Sequence, residues 1–210
     1  MTWKLPPTDT YFGPALAKTP EGFELDHLEF ALQYCQRFRF AIDGGAHVGT
    51  WSVALAKRFK QVVAFEPAAD TYACLVENTA AYPNIRTVRA ALGSIDGVCF
   101  VHDDATRKGN TGSRMVVEDP TGTVPLVRLD SVKFDEVDFL KLDLEGYEGE
   151  ALKGAKQLLF DCAPVVMVEC KQFSPPRHGG PEQTVQLLAN FGYSEVGGIR
   201  NDRVFLLEGR

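Results

Sequence analysis

The chain has 210 residues, enough for one sizeable hydrophobic core and short for two. With 22 Lys and Arg against 28 Asp and Glu, its net charge of -6 argues against a sequence-independent grip on nucleic acid, which needs clustered cations. No apolar run approaches the ~20 residues of a membrane span, and the N-terminal "MTWKLPPTDTYFGP" has no apolar stretch of signal-peptide length. Five scattered cysteines without a C-x-x-C pair fit reduced thiols in a cytoplasmic protein better than disulfides or a zinc site.

Residues 1–25, rich in Pro, Thr and Gly, read as an irregular arm. Asp26 is expected to start a helix with Glu29 as its capping-box partner, and Leu28, Leu32 and Cys35 give that helix an apolar stripe. "FRFAID" reads as a buried strand ending in Asp43, and "TWSVALAKRF" as a helix. "QVVAFE" reads as a second strand, Asp70 as the cap of the helix "TYACLVENTAAY", and "IRTVRAAL" as a third strand. From Gly93 to Val137 the pattern breaks into "VCFVH", "RMVVE" and "TVPLVRL", β-like pieces expected to lie over the carboxyl edge of the sheet.

Alternation resumes with strand "VDFLKLD", helix "EGEALKGAKQLLF", strand "PVVMVE" and helix "EQTVQLLANF". The chain closes on "YSEV" and "RVFLLE", joined by the hairpin-type connection "GGIRND". Apolar strands alternating with helices predict a doubly wound α/β fold over residues 1–210, mostly parallel and covered on both faces, with one antiparallel strand near an edge.

In such a sheet a ligand lies beyond the carboxyl ends of the strands. Asp43, Glu66, Asp143 and Glu169 all end strands that are otherwise almost free of charge. The turn after the first strand reads D-x-G-A-x-x-G, with Asp43, Gly45, Ala46, His47 and Gly49 in register. Ala46 stands where a dinucleotide fingerprint needs the glycine that admits a pyrophosphate. An acid ahead of the glycines suits an amine-bearing ligand such as the methionine part of S-adenosylmethionine (SAM), while Gly45 and Gly49 suit a tight turn and close helix packing. Glu66 is placed to accept from two ribose hydroxyls, a role shared by SAM and NAD sites. Ala91 offers backbone groups and Leu92 an apolar face for an adenine.

The stretch "DFLKLDLEGYEGEALKGA" concentrates charge. Asp143, beside the expected ligand, and Glu145 point to one side if the strand continues. Glu148 and Glu150 suit the positive end of the next helix, and Lys141, within an apolar strand, is expected to pair with a carboxylate.

"IDGGAHVGTWSV", "VVAFEP", "AALGS", "VPLVRLDSV", "VDFLKLDLEGYEGEALKGA" and "PVVMVE" together resemble the successive signatures of the FkbM family of SAM-dependent methyltransferases, from Phe40 to Glu169. The resemblance implies the Rossmann-like class I methyltransferase fold, with a seven-stranded sheet and a late antiparallel strand. It also implies SAM as cofactor and O-methylation of a sugar, glycan or small natural-product-like acceptor. His47 departs from the family's usual Asn, and Gly44 from its usual aliphatic residue. "SPPR", Ser174 to Arg177, is similar to a motif of DNA amino-group methyltransferases, but it follows the fifth strand instead of the fourth and lacks the aromatic.

A hydroxyl acceptor is a weak nucleophile and benefits from a base or a metal. Asp143 is the first candidate for a base or acceptor-orienting group, supported by Glu145 or Glu169; no ligand cluster demands a metal, although Asp143 and Glu169 suit a Mg²⁺ ion. His102 and His178, in loops expected to cover the pocket, are secondary candidates, and Arg114 suits either an anionic acceptor or a surface ion pair. The expected partner is a small-molecule or carbohydrate acceptor, with neither nucleic acid nor membrane. Two other readings stay open: an NAD(P)-binding oxidoreductase, disfavoured by the missing G-x-G and by Asp43, and a non-catalytic SAM- or nucleotide-binding module, which would tolerate loss of Asp143.

Overall fold

A computed structural model describes residues 2–19, 22–173 and 178–209. The chain runs α1 (Phe12–Lys18), α2 (Leu25–Leu32), β1 (Phe40–Gly44), α3 (Thr50–Ala56), β2 (Gln61–Phe65) and α4 (Ala69–Thr79). Next come β3 (Ile85–Val88), β4 (Ala91–Leu92), β5 (Gly97–His102), β6 (Met115–Glu118), β7 (Val124–Val127) and β8 (Phe139–Leu142). The last third holds α5 (Glu148–Lys153), α6 (Lys156–Cys162), β9 (Val165–Glu169), α7 (Gly180–Asn190), β10 (Tyr193–Ile199) and β11 (Asp202–Leu207).

Seven strands form the main sheet in the order β10-β11-β9-β8-β1-β2-β3. Pairing is parallel from β9 through β8, β1 and β2 to β3, whereas β11 is antiparallel to both β9 and β10. Successive side chains of a strand point to opposite faces. Accordingly Ile42, Val63, Leu140 and Val166 join one core with Leu152, Leu159 and Leu188 of α5, α6 and α7. Ala41, Val62, Phe139 and Val165 join a second core on the other face, with Leu28 and Leu32 of α2 and Leu55 of α3. Strands buried from both sides must be apolar throughout, which is why they stand out in the sequence. No helix among the described residues is long and apolar enough to cross a membrane, and no disulfide joins their cysteines.

Several local expectations are corrected. The arm carries a short helix, α1, so it is not wholly irregular. Helix α2 starts at Leu25 after a left-handed Glu24, leaving Asp26 in the first turn; Glu29 accepts from Arg58 instead of closing a capping box. Helix α4 starts a residue ahead of Asp70, whose carboxylate pairs with Arg114. "IRTVRAAL" is not one strand: Ala90 N–H folds back onto Val88 O, and Ala91–Leu92 pair instead with β7. They belong to a second sheet, β4-β7-β5-β6, which contains the three β-like pieces and packs on Tyr147. The helix expected over "EGEALKGAKQLLF" divides at Gly154, where an added Cβ would lie 2.0 Å from Gly93 O. The Asp130 carboxylate then accepts from Gln157 and Leu158 N–H at the start of α6.

Candidate active site

The carboxyl ends of β1, β2, β8 and β9 open onto a cavity of about 690 Å³. Tyr11, Phe12 and Phe23 of the arm wall it on one side and Arg107 to Val116 of the second sheet's loops on another. Because β11 is antiparallel, its start lies at this same edge, and the Arg200–Asn201 turn completes the rim.

The glycine turn forms the floor. Gly45 and Ala46 N–H both donate to Phe65 O, at 3.0 and 2.9 Å, which fastens the turn to the end of β2. Gly45 has φ 74°, and an added Cβ would sit 1.9 Å from Asp143 O, so backbone of β1 and β8 meets there with no space for a side chain. Gly45→Ala is therefore expected to lower stability by roughly 1–3 kcal/mol or more, read as a drop in the melting temperature. An unchanged melting temperature would show that the turn relaxes freely.

Asp43 does not reach the cavity. Its side chain is fully buried, with Oδ2 accepting from Ser52 Oγ at 2.6 Å and Oδ1 3.1 Å from Lys141 Nζ. The expectation of a direct ligand contact is thus corrected: Asp43 fixes Lys141, which in turn donates to Gly45 O at 2.8 Å. Burial alone would depress the Lys141 pKa, but Asp43 and Asp143 push it up to about 12. Gly49 is also outside the cavity wall; it precedes α3 with φ 93° and packs on Leu75.

Glu66 borders the cavity with little exposure. Its Oε1 accepts from Ala68 N–H at 2.9 Å and Thr71 Oγ1 at 2.8 Å, and its Oε2 from His47 N–H at 2.9 Å. Burial raises its pKa and these hydrogen bonds offset the rise in part. His47 lies in the wall at φ 50°, and Phe65, Ala91 and Leu92 supply an apolar surface beside Glu66.

Across the cavity, carboxylate oxygens of Asp143, Glu145 and Glu169 lie within 4.8 Å of one another. The strand stops at Leu142, so Glu145 arrives through a left-handed residue, φ 54°, and not by strand continuation. Lys171 Nζ bridges the group, 2.9 Å from Glu145 Oε1 and 3.3 Å from Glu169 Oε1, with Arg107 Nη1 3.5 Å from Glu145 Oε2. Glu169 Oε2 is buried and has no hydrogen-bond partner among the described residues. Burial, then the negative Asp143 and Glu145, hold the Glu169 pKa far above the usual carboxylate range despite Lys171. Asp143 is the most exposed carboxylate of the trio, and Glu145 and Glu169 are largely covered. Glu148 is the helix-start acid expected: it accepts from Leu144 and Gly146 N–H, and burial pushes its pKa up to about 7.

Neither candidate loop histidine lines the cavity. Val101 faces inward, and the strand's period of two turns the neighbouring His102 out to solvent. His178 is exposed and packs edge-on against Tyr147, with 4.5 Å between ring centroids. Arg114 does line the wall, but its guanidinium is held by Asp70 and Asp103. "SPPR" lies outside the described residues.

Sequence reasoning missed Arg107, Lys171 and a cluster of Glu24, His27 and Asp202, in which His27 Nδ1 lies 2.6 Å from Asp202 Oδ2. A signal for Asp202 existed: an antiparallel last strand brings its first residue to the carboxyl edge, here opposite Glu169. The arm residues carry no pattern that would have placed them.

A seven-stranded sheet with a late antiparallel β11, and a cavity between a glycine turn and an acid after β2, define the class I SAM-dependent methyltransferase fold. The family described as the methyltransferase FkbM domain matches residues 43–195. The chain belongs to the FkbM methyltransferase family.

Methyltransferase FkbM from Methylobacillus flagellatus KT superposes with a TM-score of 0.54 at 18% identity, covering 80% of this chain and 43% of that one. This chain thus spans under half of that relative. A SAM-dependent methyltransferase from Aquifex aeolicus gives 0.52 at 12% identity, covering 87% and 89% of the two chains. Magnesium protoporphyrin IX methyltransferase (ChlM) from Synechocystis PCC 6803, with bound SAM, gives 0.52 at 12% identity over 93% and 82%. At such identities the likeness is one of fold. No curated protein sequence matches the chain significantly.

Proposed function

We propose that the chain transfers the methyl group of SAM to a hydroxyl oxygen of a sugar, glycan or small natural-product-like acceptor. The observation that carries this reading is a single cavity with Glu66 and an apolar wall on one side and the Asp143 cluster on the other. SAM, when bound, supplies a sulfonium methyl for in-line displacement. The residues present suit it: Glu66 would accept from ribose hydroxyls, and Phe65, Ala91 and Leu92 would flank an adenine. The turn at Gly45, Ala46 and His47 brings backbone close to the donor without a side chain at Gly45.

Asp143 would orient the acceptor hydroxyl and take its proton as oxygen gains the methyl. Glu145 and Lys171 fix the opposite wall through their ion pair. Glu169, its Oε1 facing Lys171 and its Oε2 buried, lines the same wall behind the more exposed Asp143. Positioning two reactants in line accounts for much of such a rate enhancement.

Calorimetric titration with SAM, S-adenosylhomocysteine (SAH) and NAD⁺ tests the donor; the first two are expected to bind. Binding of NAD⁺ without SAM would overturn the reading. Incubation with methyl-labelled SAM and a panel of glycosides, nucleotide sugars and polyketide alcohols tests the acceptor, and label found on nitrogen or carbon would sink the oxygen assignment. Asp143→Asn is expected to lower kcat by about 10²–10⁴-fold while SAM binding is kept. Unchanged turnover would remove Asp143 from proton transfer and favour a purely orienting role for the cavity.

A further inference from the structure

A continuous hydrogen-bonded path ties the N-terminal arm to the donor turn. Asp9 Oδ1 accepts from Phe12 N–H at 2.7 Å and Gly13 N–H at 3.3 Å, at the start of α1. Asp9 Oδ2 accepts the Thr111 hydroxyl at 2.6 Å and the Thr111 N–H at 3.3 Å. Thr111 Oγ1 lies 2.8 Å from His47 Nε2, and His47 N–H reaches Glu66 Oε2. The Phe12 ring stands edge-on to the imidazole, centroids 4.8 Å apart, and Thr10 N–H donates to Gly109 O at 2.8 Å. Arm, second-sheet loop and glycine turn therefore converge on one side chain, His47.

The polarity of the path fixes the tautomer. A carboxylate only accepts, so the single Thr111 hydroxyl proton is committed to Asp9. Thr111 Oγ1 must then accept, and His47 Nε2 carries a proton. Burial outweighs the pull of Asp9 and Asp143 and lowers the His47 pKa to about 4, so the ring is neutral and Nδ1 keeps its lone pair. Asp9 is itself partly buried, which raises its pKa, but the bonds from Thr111, Phe12 and Gly13 outweigh this and keep it ionised.

A non-glycine residue in the left-handed region persists only when its surroundings hold it there. The path supplies that hold from both ends of His47, through its N–H and through its ring. We infer that Asp9 and Thr111 are positioning residues for the donor site: they hold His47 in one tautomer and one backbone conformation beside Glu66, and so clamp the arm and the loop at Thr111 across the bound donor. The inference rests on the SAM reading and adds that donor release requires the clamp to open.

The test measures SAH dissociation by stopped-flow fluorescence in the wild type, Asp9→Asn, Thr111→Val and Thr111→Ser. A ligand-free ¹⁵N spectrum of the His47 imidazole is recorded for each. Loss of one hydrogen bond to a charged group predicts dissociation about tenfold faster in Asp9→Asn and Thr111→Val, with Thr111→Ser restoring the wild-type rate. The Nε2–H form is expected in the wild type and in Thr111→Ser, with a mixed tautomer signal in Thr111→Val. Wild-type dissociation rates in both Asp9→Asn and Thr111→Val would overturn the clamp, as would a fast rate that Thr111→Ser does not restore. An Nδ1–H ring in the wild type would overturn the positioning role. A wild type that binds neither SAM nor SAH overturns the donor reading instead, and the ligand-free spectrum still decides whether Asp9 and Thr111 position His47.

Discussion

Replacing Lys141 by methionine is expected to lower the unfolding free energy by about 3–5 kcal/mol, because it leaves a buried carboxylate without its cation. Lys141 and Asp43 are both buried, and the ammonium also ties the Gly45 carbonyl that shapes the floor of the cavity. Methionine fills much of the same volume, so the loss is electrostatic more than one of packing. After the change Asp43 keeps only the Ser52 hydroxyl. The double variant Lys141→Met/Asp43→Asn removes the stranded charge and should recover a large part of the loss, an interaction that a double-mutant cycle measures. Urea denaturation at constant m-value provides the numbers, and a single variant within about 1 kcal/mol of wild type would refute the account.

The pH dependence has a definite sign. A lysine whose folded pKa is raised contributes stability that is complete below its unfolded value and lost as pH rises through the folded one. For Lys141 that window runs from 10.5 to about 12, so the pair is intact throughout the neutral range.

The parallel sheet was legible because both of its faces are covered. Alternate residues such as Ala41 and Ile42 enter different cores, so whole strands become apolar and their terminal acids stand out. What a strand end does not reveal is which way its side chain turns. Asp43 and Glu66 look alike as terminal acids, yet Asp43 faces Ser52 and Lys141 inside the protein while Glu66 faces the cavity. The same limit applied to His102, one residue out of phase with the inward Val101.

Groups that reach the site from irregular chain were hidden for a different reason. Lys171, Arg107 and Asp9 owe their positions to long-range contacts, and no local period encodes those. The second sheet was foreseen only as extended pieces. Its order depends on Ala91 and Leu92 leaving the third strand to pair with Leu126 and Val127.

The second large effect concerns Glu66. Glu66→Ala is expected to weaken SAM binding by roughly 10²–10⁴-fold, since two hydrogen bonds from ribose hydroxyls to a carboxylate are worth about 1.5–3 kcal/mol each. Part of that loss is indirect, because Glu66 also holds His47 N–H beside the turn and Ala68 N–H at the start of α4. Glu66→Gln separates the two contributions. It keeps an acceptor oxygen and most of the shape, so its loss in affinity should fall between wild type and alanine.

Stability should respond as well. Burial raises the Glu66 pKa above the usual 4.5 of a glutamate, so its contribution to stability is complete below that value and is lost as pH rises through the folded one. Glutamine removes the burial cost of the charged form but keeps one acceptor oxygen, so its NH2 faces either His47 N–H or the Ala68 and Thr71 donors and leaves them unpaired. Ligand-free Glu66→Gln should therefore melt below wild type as well as bind SAM more weakly, measured by calorimetry on the same preparation. If Glu66→Ala binds SAM as tightly as wild type, ribose recognition at this position is wrong. If Glu66→Gln melts no lower than wild type, the His47, Ala68 and Thr71 donors do not depend on the carboxylate.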